Sequence, residues 1–403
     1  MASQIDKIFD SFSTSDIFKN KFILQSNYVP ETIQHREKQI ESIASILAPS
    51  LRLEKASNLF IYGKTGTGKT VSILYLKDEL LKRARKNNIN LNIEYINCKL
   101  KKVADTEYRI LAELIRKLGS SVPATGLPTE VVYNRFIEIL ESKPQLFILI
   151  LDEFDQAIKK VSDDFLYNLI RLNSELTKAQ ISLIGISNDL TFLDNIDPRV
   201  RSSLSEEEIV FSPYNALQLQ DILSERAKQA FHEGVVETGV IEKCAAYAAR
   251  EHGDARRALD LLRIAGELVE RDGKKKILQE HIDQANEKLE RDKILDIVET
   301  EPKQFQLVLS SIISLVESKK IPKIFTGDIY NFYKELCEKT SNEILTQRRV
   351  GDIIAEFDML GIINAIVISK GRYGRTREIK LVIPPQLIPK IKTILSSSLG
   401  LEE

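Results

Sequence analysis

Gly63-Lys64-Thr65-Gly66-Thr67-Gly68-Lys69-Thr70 fits the pattern G-x-x-x-x-G-K-[ST] at every position. A short apolar run, Leu59-Phe60-Ile61-Tyr62, precedes it, and a helical periodicity in Val71, Leu74, Leu76, Leu80 and Leu81 follows. Strand, glycine-rich turn and helix in that order aim backbone N–H groups inward around an anion, and the helix N-terminus adds its dipole. That combination suits the β- and γ-phosphates of a nucleotide. Lys69 places a point charge on them, and Thr70 offers a hydroxyl to Mg2+. A dinucleotide fold is disfavoured, because Gly66-Thr67-Gly68 lacks the third glycine of that fingerprint.

Three more apolar runs, residues 93–96, 147–151 and 181–186, are strand-like by length and by Ile, Phe and Tyr content, with amphipathic stretches between them. The alternation predicts a parallel sheet with helices on both faces. Phe147-Ile148-Leu149-Ile150-Leu151 ends in Asp152-Glu153. A strand ending there projects Asp152 toward the phosphates, where it can hold the metal through water. Glu153 is then placed to take a proton from the attacking water. The run at 181–187 ends in Asn188-Asp189, so Asn188 can orient that water; an Asn-Asp pair at a strand end is also ordinary turn chemistry.

At 403 residues the chain exceeds one hydrophobic core, which predicts two or three domains. Hydrophobic residues make up 43% and charged residues 29%, with 57 basic against 58 acidic side chains. This excludes a disordered chain and a histone-like polycation. The longest strongly apolar run, 146–151, falls far short of the ~20 residues of a membrane span. Residues 1–10 lack the basic start and apolar stretch of a secretory signal. Cys98, Cys244 and Cys337 cannot all pair and share no metal-ligand spacing, so they read as reduced, partly buried thiols of a cytoplasmic protein. A disulfide scaffold, a membrane protein and a Cys/His zinc module are disfavoured.

After Pro213 strand signals vanish, and residues 215–291 read as helices. The charge-rich stretch 289–301 ends at Pro302 and reads as a linker. Three helical patterns follow, at 305–317, 327–337 and 346–360, and then two strand-like runs, 362–369 and 378–383, around a basic tip. This is the order of a winged helix-turn-helix. The third pattern buries Val350, Ile353, Ile354, Phe357 and Leu360, leaving Gln347, Arg348 and Arg349 at the end that meets DNA in such modules. Five basic residues between 370 and 380 face one acid, and the tip Gly371-Arg372-Tyr373-Gly374-Arg375 is thin and basic enough for a narrow minor groove. A winged helix can instead dock protein, and Asp352, Glu356 and Asp358 leave this one mixed in charge. The expected domains are 1–213 (nucleotide-binding), 214–300 (helical lid) and 301–403 (winged helix).

The phosphate loop, the Asp-Glu pair, the polar residue ending the next strand, and Gly253-Asp254-Ala255-Arg256-Arg257-Ala258 in a helical lid together resemble an AAA+ ATPase. Val29-Pro30-Glu31-Thr32-Ile33-Gln34-His35-Arg36-Glu37, Asp197-Pro198-Arg199-Val200-Arg201-Ser202-Ser203-Leu204 and the winged-helix pattern narrow the resemblance to archaeal origin-recognition type replication initiators, over nearly the whole chain. The resemblance implies an α/β AAA+ core with an all-α lid and a C-terminal winged helix. It implies ATP or ADP with Mg2+, and Arg256 reaching the γ-phosphate. It also places Val29 and Pro30 near the adenine, with Tyr214 and Arg226 contacting the nucleotide. Many such ATPases carry a Ser-Arg pair that donates an arginine finger to a neighbour; here the matching position is Ser203, and Arg201 is the candidate finger. The family has an extra DNA-touching helical element where residues 118–140 lie, although those residues also read as an ordinary surface insertion. The implied partners are duplex origin DNA, a replicative helicase and paralogous initiators, with no membrane and a chromosome-associated location. A loader ATPase with a protein-docking winged helix, and a nucleotide-gated transcription regulator, remain the alternatives.

Overall fold

The computed structural model describes residues 16–99, 106–123, 125–156, 168–169, 171–189, 198, 201, 206–319, 324–369 and 375–400. By their internal contacts, Met1–Ile282 and Asp283–Glu403 are two compact units. Among the described residues, the first unit is built on five parallel strands: β1 (Leu59–Tyr62), β2 (Leu91–Asn97), β3 (Gln145–Asp152), β4 (Ala179–Ser187) and β5 (Glu207–Val210), in the order β2-β3-β4-β1-β5. β3 is buried at every position, as a strand with covered faces must be. Its alternation sorts the two faces. Leu146, Ile148 and Ile150 join Leu59, Ile61, Ile184 and Ile186 under α1 (Glu37–Leu47) and α2 (Lys69–Lys86). Phe147, Leu149 and Leu151 join Phe60 under α3 (Glu107–Lys117) and α4 (Thr129–Leu140). No sequence signal marked β5: it reads Glu-Glu-Ile-Val, is largely exposed, and among the described residues pairs only with β1, at the sheet edge.

Three helices follow, α5 (Ala216–Ala230), α6 (Val240–Arg250) and α7 (Ala255–Arg271). Asn215 and Gln218 close a capping box on α5. Asp254 caps α7, accepting from the N–H groups of Arg256 and Arg257. Residues 16–24 pack on these helices: Phe18 stacks on Phe231 at 4.9 Å, and Lys21 pairs with Glu267 at 2.8 Å.

The expected linker is helical instead. α8 (Gln279–Thr300) runs through its charged residues, because Glu, Lys, Arg and Leu all favour helix. It stops just before Pro302, which cannot donate to the ladder. In the second unit come α9 (Lys303–Lys319), β6 (Ile324–Phe325), α10 (Thr326–Lys339), α11 (Gln347–Met359), β7 (Ile363–Ser369), β8 (Arg375–Leu381) and α12 (Ile388–Leu399). The strands form an antiparallel sheet in the order β6-β8-β7 over a core that includes Tyr333, Val350, Ile354, Phe357 and Ile391. β8 begins at Arg375, three residues before the expected strand, so Arg375 pairs with Ser369 rather than lying in the tip. β6 and α12 were not anticipated, β6 being two residues long and α12 carrying a proline in its first turn, where the missing N–H costs nothing. The three cysteines are buried, and among the described residues no helix is long and apolar enough to cross a membrane.

Candidate functional site

A cleft of about 390 Å3 opens at the C-terminal ends of the strands, the expected place for a ligand in a parallel sheet. Gly66 through Thr70 line it, with Asp152, Glu153, Asn188 and Arg256. Gly66 and Gly68 take left-handed φ values of 72° and 89°. A Cβ on Gly66 would lie 1.7 Å from Asp254 Oδ1, and one on Gly68 2.6 Å from the Tyr214 hydroxyl. The loop is thus pressed against the lid from behind, and only glycine fits.

Lys69, the first residue of α2, curls back over the loop. Its Nζ donates to the carbonyls of Gly63 (2.6 Å) and Lys64 (2.8 Å) and to Asn188 Oδ1 (2.9 Å). Burial pushes its ammonium down to about 8; Asp152, Glu153 and Asp254 oppose that shift, and Arg256 adds to it. Thr65 is exposed, and Lys64 Nζ reaches His252 Nδ1 at 3.4 Å.

Asp152 is held by three donors. Thr70 Oγ1 (2.9 Å) and the Tyr95 hydroxyl (2.7 Å) reach Oδ2, and the Glu153 N–H (2.9 Å) reaches Oδ1. Burial, and then the Asp152 charge, raise the Tyr95 phenol, so it stays a donor. Thr70 and Asp152 give two adjacent hard oxygens at the loop, which fits Mg2+ bound by few protein ligands together with substrate phosphates. Glu153 takes φ 52°, a conformation costing a non-glycine residue roughly 1–2 kcal/mol. Its Oε2 lies 3.9 Å from Lys99 Nζ.

Val29, Pro30, Tyr214 and Arg226 all line the same cleft. The Arg226 guanidinium lies 4.6 Å over the Tyr28 ring and donates to the Ile23 carbonyl at 3.4 Å. Tyr214 is buried, 4% exposed, with its ring under the guanidinium of Arg36 at 3.8 Å.

In the second unit, the α11 core face is Val350, Ile353, Ile354 and Phe357, while Leu360 is half-buried. Gln347, Arg348 and Arg349 are exposed at its N-terminus, which Thr346 caps. Arg349 lies 3.9 Å from Asp352 in a solvated pair. Arg377, one of the basic run, donates instead to the Gly351 carbonyl, and Asp358 accepts from the Ala365 N–H at 2.8 Å; both tie the hairpin to α11. Arg372, Tyr373 and Gly374 lie outside the described residues, as does the Arg375 side chain.

The chain matches three described families in succession: an AAA domain over residues 52–193, a Cdc6 AAA+ ATPase-type lid domain over 220–287, and a Cdc6 C-terminal winged helix domain over 296–390. It is 50% identical over 392 residues to an ORC1-type DNA replication protein of Thermococcus onnurineus, covering 96% of this chain and 94% of that one. The chain belongs to the ORC1-type DNA replication proteins. ORC1-type DNA replication protein 1 of Methanosarcina mazei is also 50% identical, over 97% of this chain and 94% of its own. Among solved structures, the Aeropyrum pernix ORC1 protein in complex with DNA is similar at 43% identity and TM-score 0.83, covering 95% of this chain and 98% of that one.

In this ORC1-type chain, one proposed catalytic group stands apart: Arg201 is exposed and is not among the residues lining the cleft. Ser203 and Arg199 lie outside the described residues. Sequence reasoning missed Arg36, Tyr95 and Asn97. Tyr95 and Asn97 sit at the end of β2, and Asn97 lines the cleft. Once Asp152 was placed on the neighbouring strand, the polar end of β2 was the available signal. For Arg36 the only signal is its place just after the Val-Pro segment.

Proposed function

We propose that this chain is an ATP-binding replication initiator that recognises and bends origin duplex DNA and marks it for helicase loading, with slow Mg2+-dependent hydrolysis as its switch. The observation that carries the nucleotide half is the Lys69 ammonium at the loop mouth, bonded to Asn188 and flanked by the Thr70–Asp152 pair. The DNA half is supported by whole-chain likeness to a protein solved with DNA, and by the exposed Gln347, Arg348 and Arg349 on α11.

In this reading the N–H groups of residues 63–70 and Lys69 hold the β- and γ-phosphates, with Val29, Pro30, Tyr214 and Arg226 on the rest of the nucleotide. Mg2+, held by Thr70 and Asp152, would supply neutralising charge to the phosphates. Asn188 orients the water, Glu153 accepts its proton as the oxygen attacks the γ-phosphorus, and ADP leaves as the bond to it breaks. Arg256 stabilises the charge that develops, with Arg201 the candidate arginine from a neighbouring copy. ATP and ADP then favour different lid arrangements, which is what a switch requires. The division 1–213, 214–300 and 301–403 separates core, lid and winged helix. The replicative helicase and paralogous initiators are the partners, and the location is cytoplasmic, on the chromosome.

Footprinting the purified protein across its own chromosome should give protection clustered at replication start points; protection spread over promoters would overturn the reading. Arg372→Ala with Arg375→Ala should weaken DNA binding and lower the salt slope by nearly one for each lost phosphate contact. An unchanged slope would remove the wing from the interface.

A further inference from the structure

Arg36 is 3% exposed and does not line the cleft, although Gln34 and Ile33, two and three residues before it, do. Its Nε donates to the Thr67 carbonyl at 2.8 Å, Nη1 to the His35 carbonyl at 3.2 Å, and Nη2 to the Ser212 carbonyl. The guanidinium plane rests 3.8 Å over the Tyr214 ring, and Phe211 lies 5.5 Å away. A planar fork with a stacking face can meet all of these at once; an ammonium cannot.

Two of those contacts bear on the nucleotide. The peptide between Thr67 and Gly68 is trans, so its C=O and N–H point in opposite directions. Holding the Thr67 carbonyl back onto Arg36 therefore turns the Gly68 N–H to the side of the loop that lines the cleft. The other contact, Ser212, lies on the segment leading from β5 into the lid. Two residues on, the Tyr214 N–H donates to the Gly253 carbonyl at 3.4 Å, and the Tyr214 hydroxyl abuts Gly68. Gly253 precedes Asp254, the cap of α7, and the Ala255 N–H donates to the Gly66 carbonyl at 3.1 Å. The next residue is Arg256. Loop, lid entrance and the first turn of α7 thus share one set of bonds, with Arg36 at its centre.

We propose that Arg36 is a positioning residue that couples the phosphate loop to the lid, so that the loop geometry presenting the Gly68 N–H to a phosphate also sets Arg256 on the γ-phosphate. The proposal rests on the nucleotide reading of the cleft. It assigns Arg36 no contact with ATP. It requires that disturbing Arg36 act through Arg256, and so more strongly on ATP than on ADP.

The test measures ATP and ADP affinities by calorimetry for the full chain, Arg36→Lys, Arg256→Ala and the double variant, with nucleotide-free melting as the folding control. Arg36→Lys should weaken ATP about tenfold more than ADP, a usual size for coupling between sites. In the Arg256→Ala background that extra loss should vanish, because residues acting as one unit are not additive. If Arg36→Lys weakens both nucleotides equally in both backgrounds, Arg36 is only structural and the coupling is wrong. Should Arg36→Lys fail to fold, Tyr214→Leu, which removes the aromatic platform, must show the same ATP-selective, Arg256-dependent loss; equal losses overturn the proposal. Failure of the unmodified protein to bind either nucleotide would instead refute the cleft reading itself.

Discussion

Where β3 and β4 begin, Glu141 accepts the N–H groups of Ala179 (2.9 Å), Lys178 and Thr177 (both 3.0 Å) and the Thr177 hydroxyl (2.7 Å). Those donors, Ala179 first, pull its carboxyl down to about 2. Beside it, Gln145 donates to the Leu140 carbonyl, and Asn173 bonds both the N–H and the carbonyl of Ile181. Where the same strands finish, Lys69 is a buried ammonium pushed down to about 8, and Glu153 takes a left-handed φ. The starting ends arrange charge so that folding gains from it. The finishing ends hold charge where folding loses by it and an anion would gain. Stability and function occupy opposite edges of one sheet, the usual division in parallel α/β proteins.

Lys69→Ala tests that division most severely. ATP affinity should fall roughly 100-fold or more, as when one partner of a desolvated charge pair is removed. The nucleotide-free protein should melt no lower than the unmodified chain, because the lost ammonium was unfavourable to bury. The pH dependence follows. Between about 8, the folded value, and 10.5, the ordinary value of a lysine, the unfolded chain carries the extra proton, so this group makes the protein more stable as pH rises through that window. Lys69→Ala should lack that rise, which denaturant titrations at pH 7, 9 and 10 would measure; an identical slope would mean that Lys69 is not desolvated. Next in size is Glu153→Gln. Hydrolysis should drop about 100-fold, the usual share of a general base. ATP affinity should stay within a few-fold, and phosphate release in single-turnover mixing separates the two.

Local signals explain how much of this could be read from residues alone. Gly63–Thr70 and the run ending at Asp152 are continuous in sequence, and the register of β3 against β4, and of β4 against β1, brings Thr70 to Asp152 across 82 residues. Periodicity likewise delimited α4 and the core face of α11. The rest depends on packing between distant segments. Nothing around Arg36 announces that its guanidinium is buried between the carbonyls of Thr67 and Ser212, 31 and 176 residues away. Nor does a basic run reveal that Arg377 ties the hairpin to Gly351 rather than facing solvent. β5 was missed for a related reason: an edge strand needs few apolar residues when one partner supplies its pairing.

At the opposite, stabilising edge a milder effect is expected. Glu141→Gln keeps the shape and two acceptor lone pairs but loses the charge that its four donors favour. At pH 7 the variant should melt lower than the unmodified protein, with ATP affinity unchanged, since Glu141 lies at the opposite ends of the strands from the cleft. The carboxyl is held below its ordinary 4.5 in the folded state, so its contribution is complete above about 4.5 and lost as pH falls toward 2. The gap in melting temperature should therefore close over that acidic window and stay closed below it. A gap that persisted at pH 2 would show that the amide disturbs packing rather than charge. A loss of ATP affinity would show that the two edges are coupled, and that the separation of stability from function across this sheet does not hold.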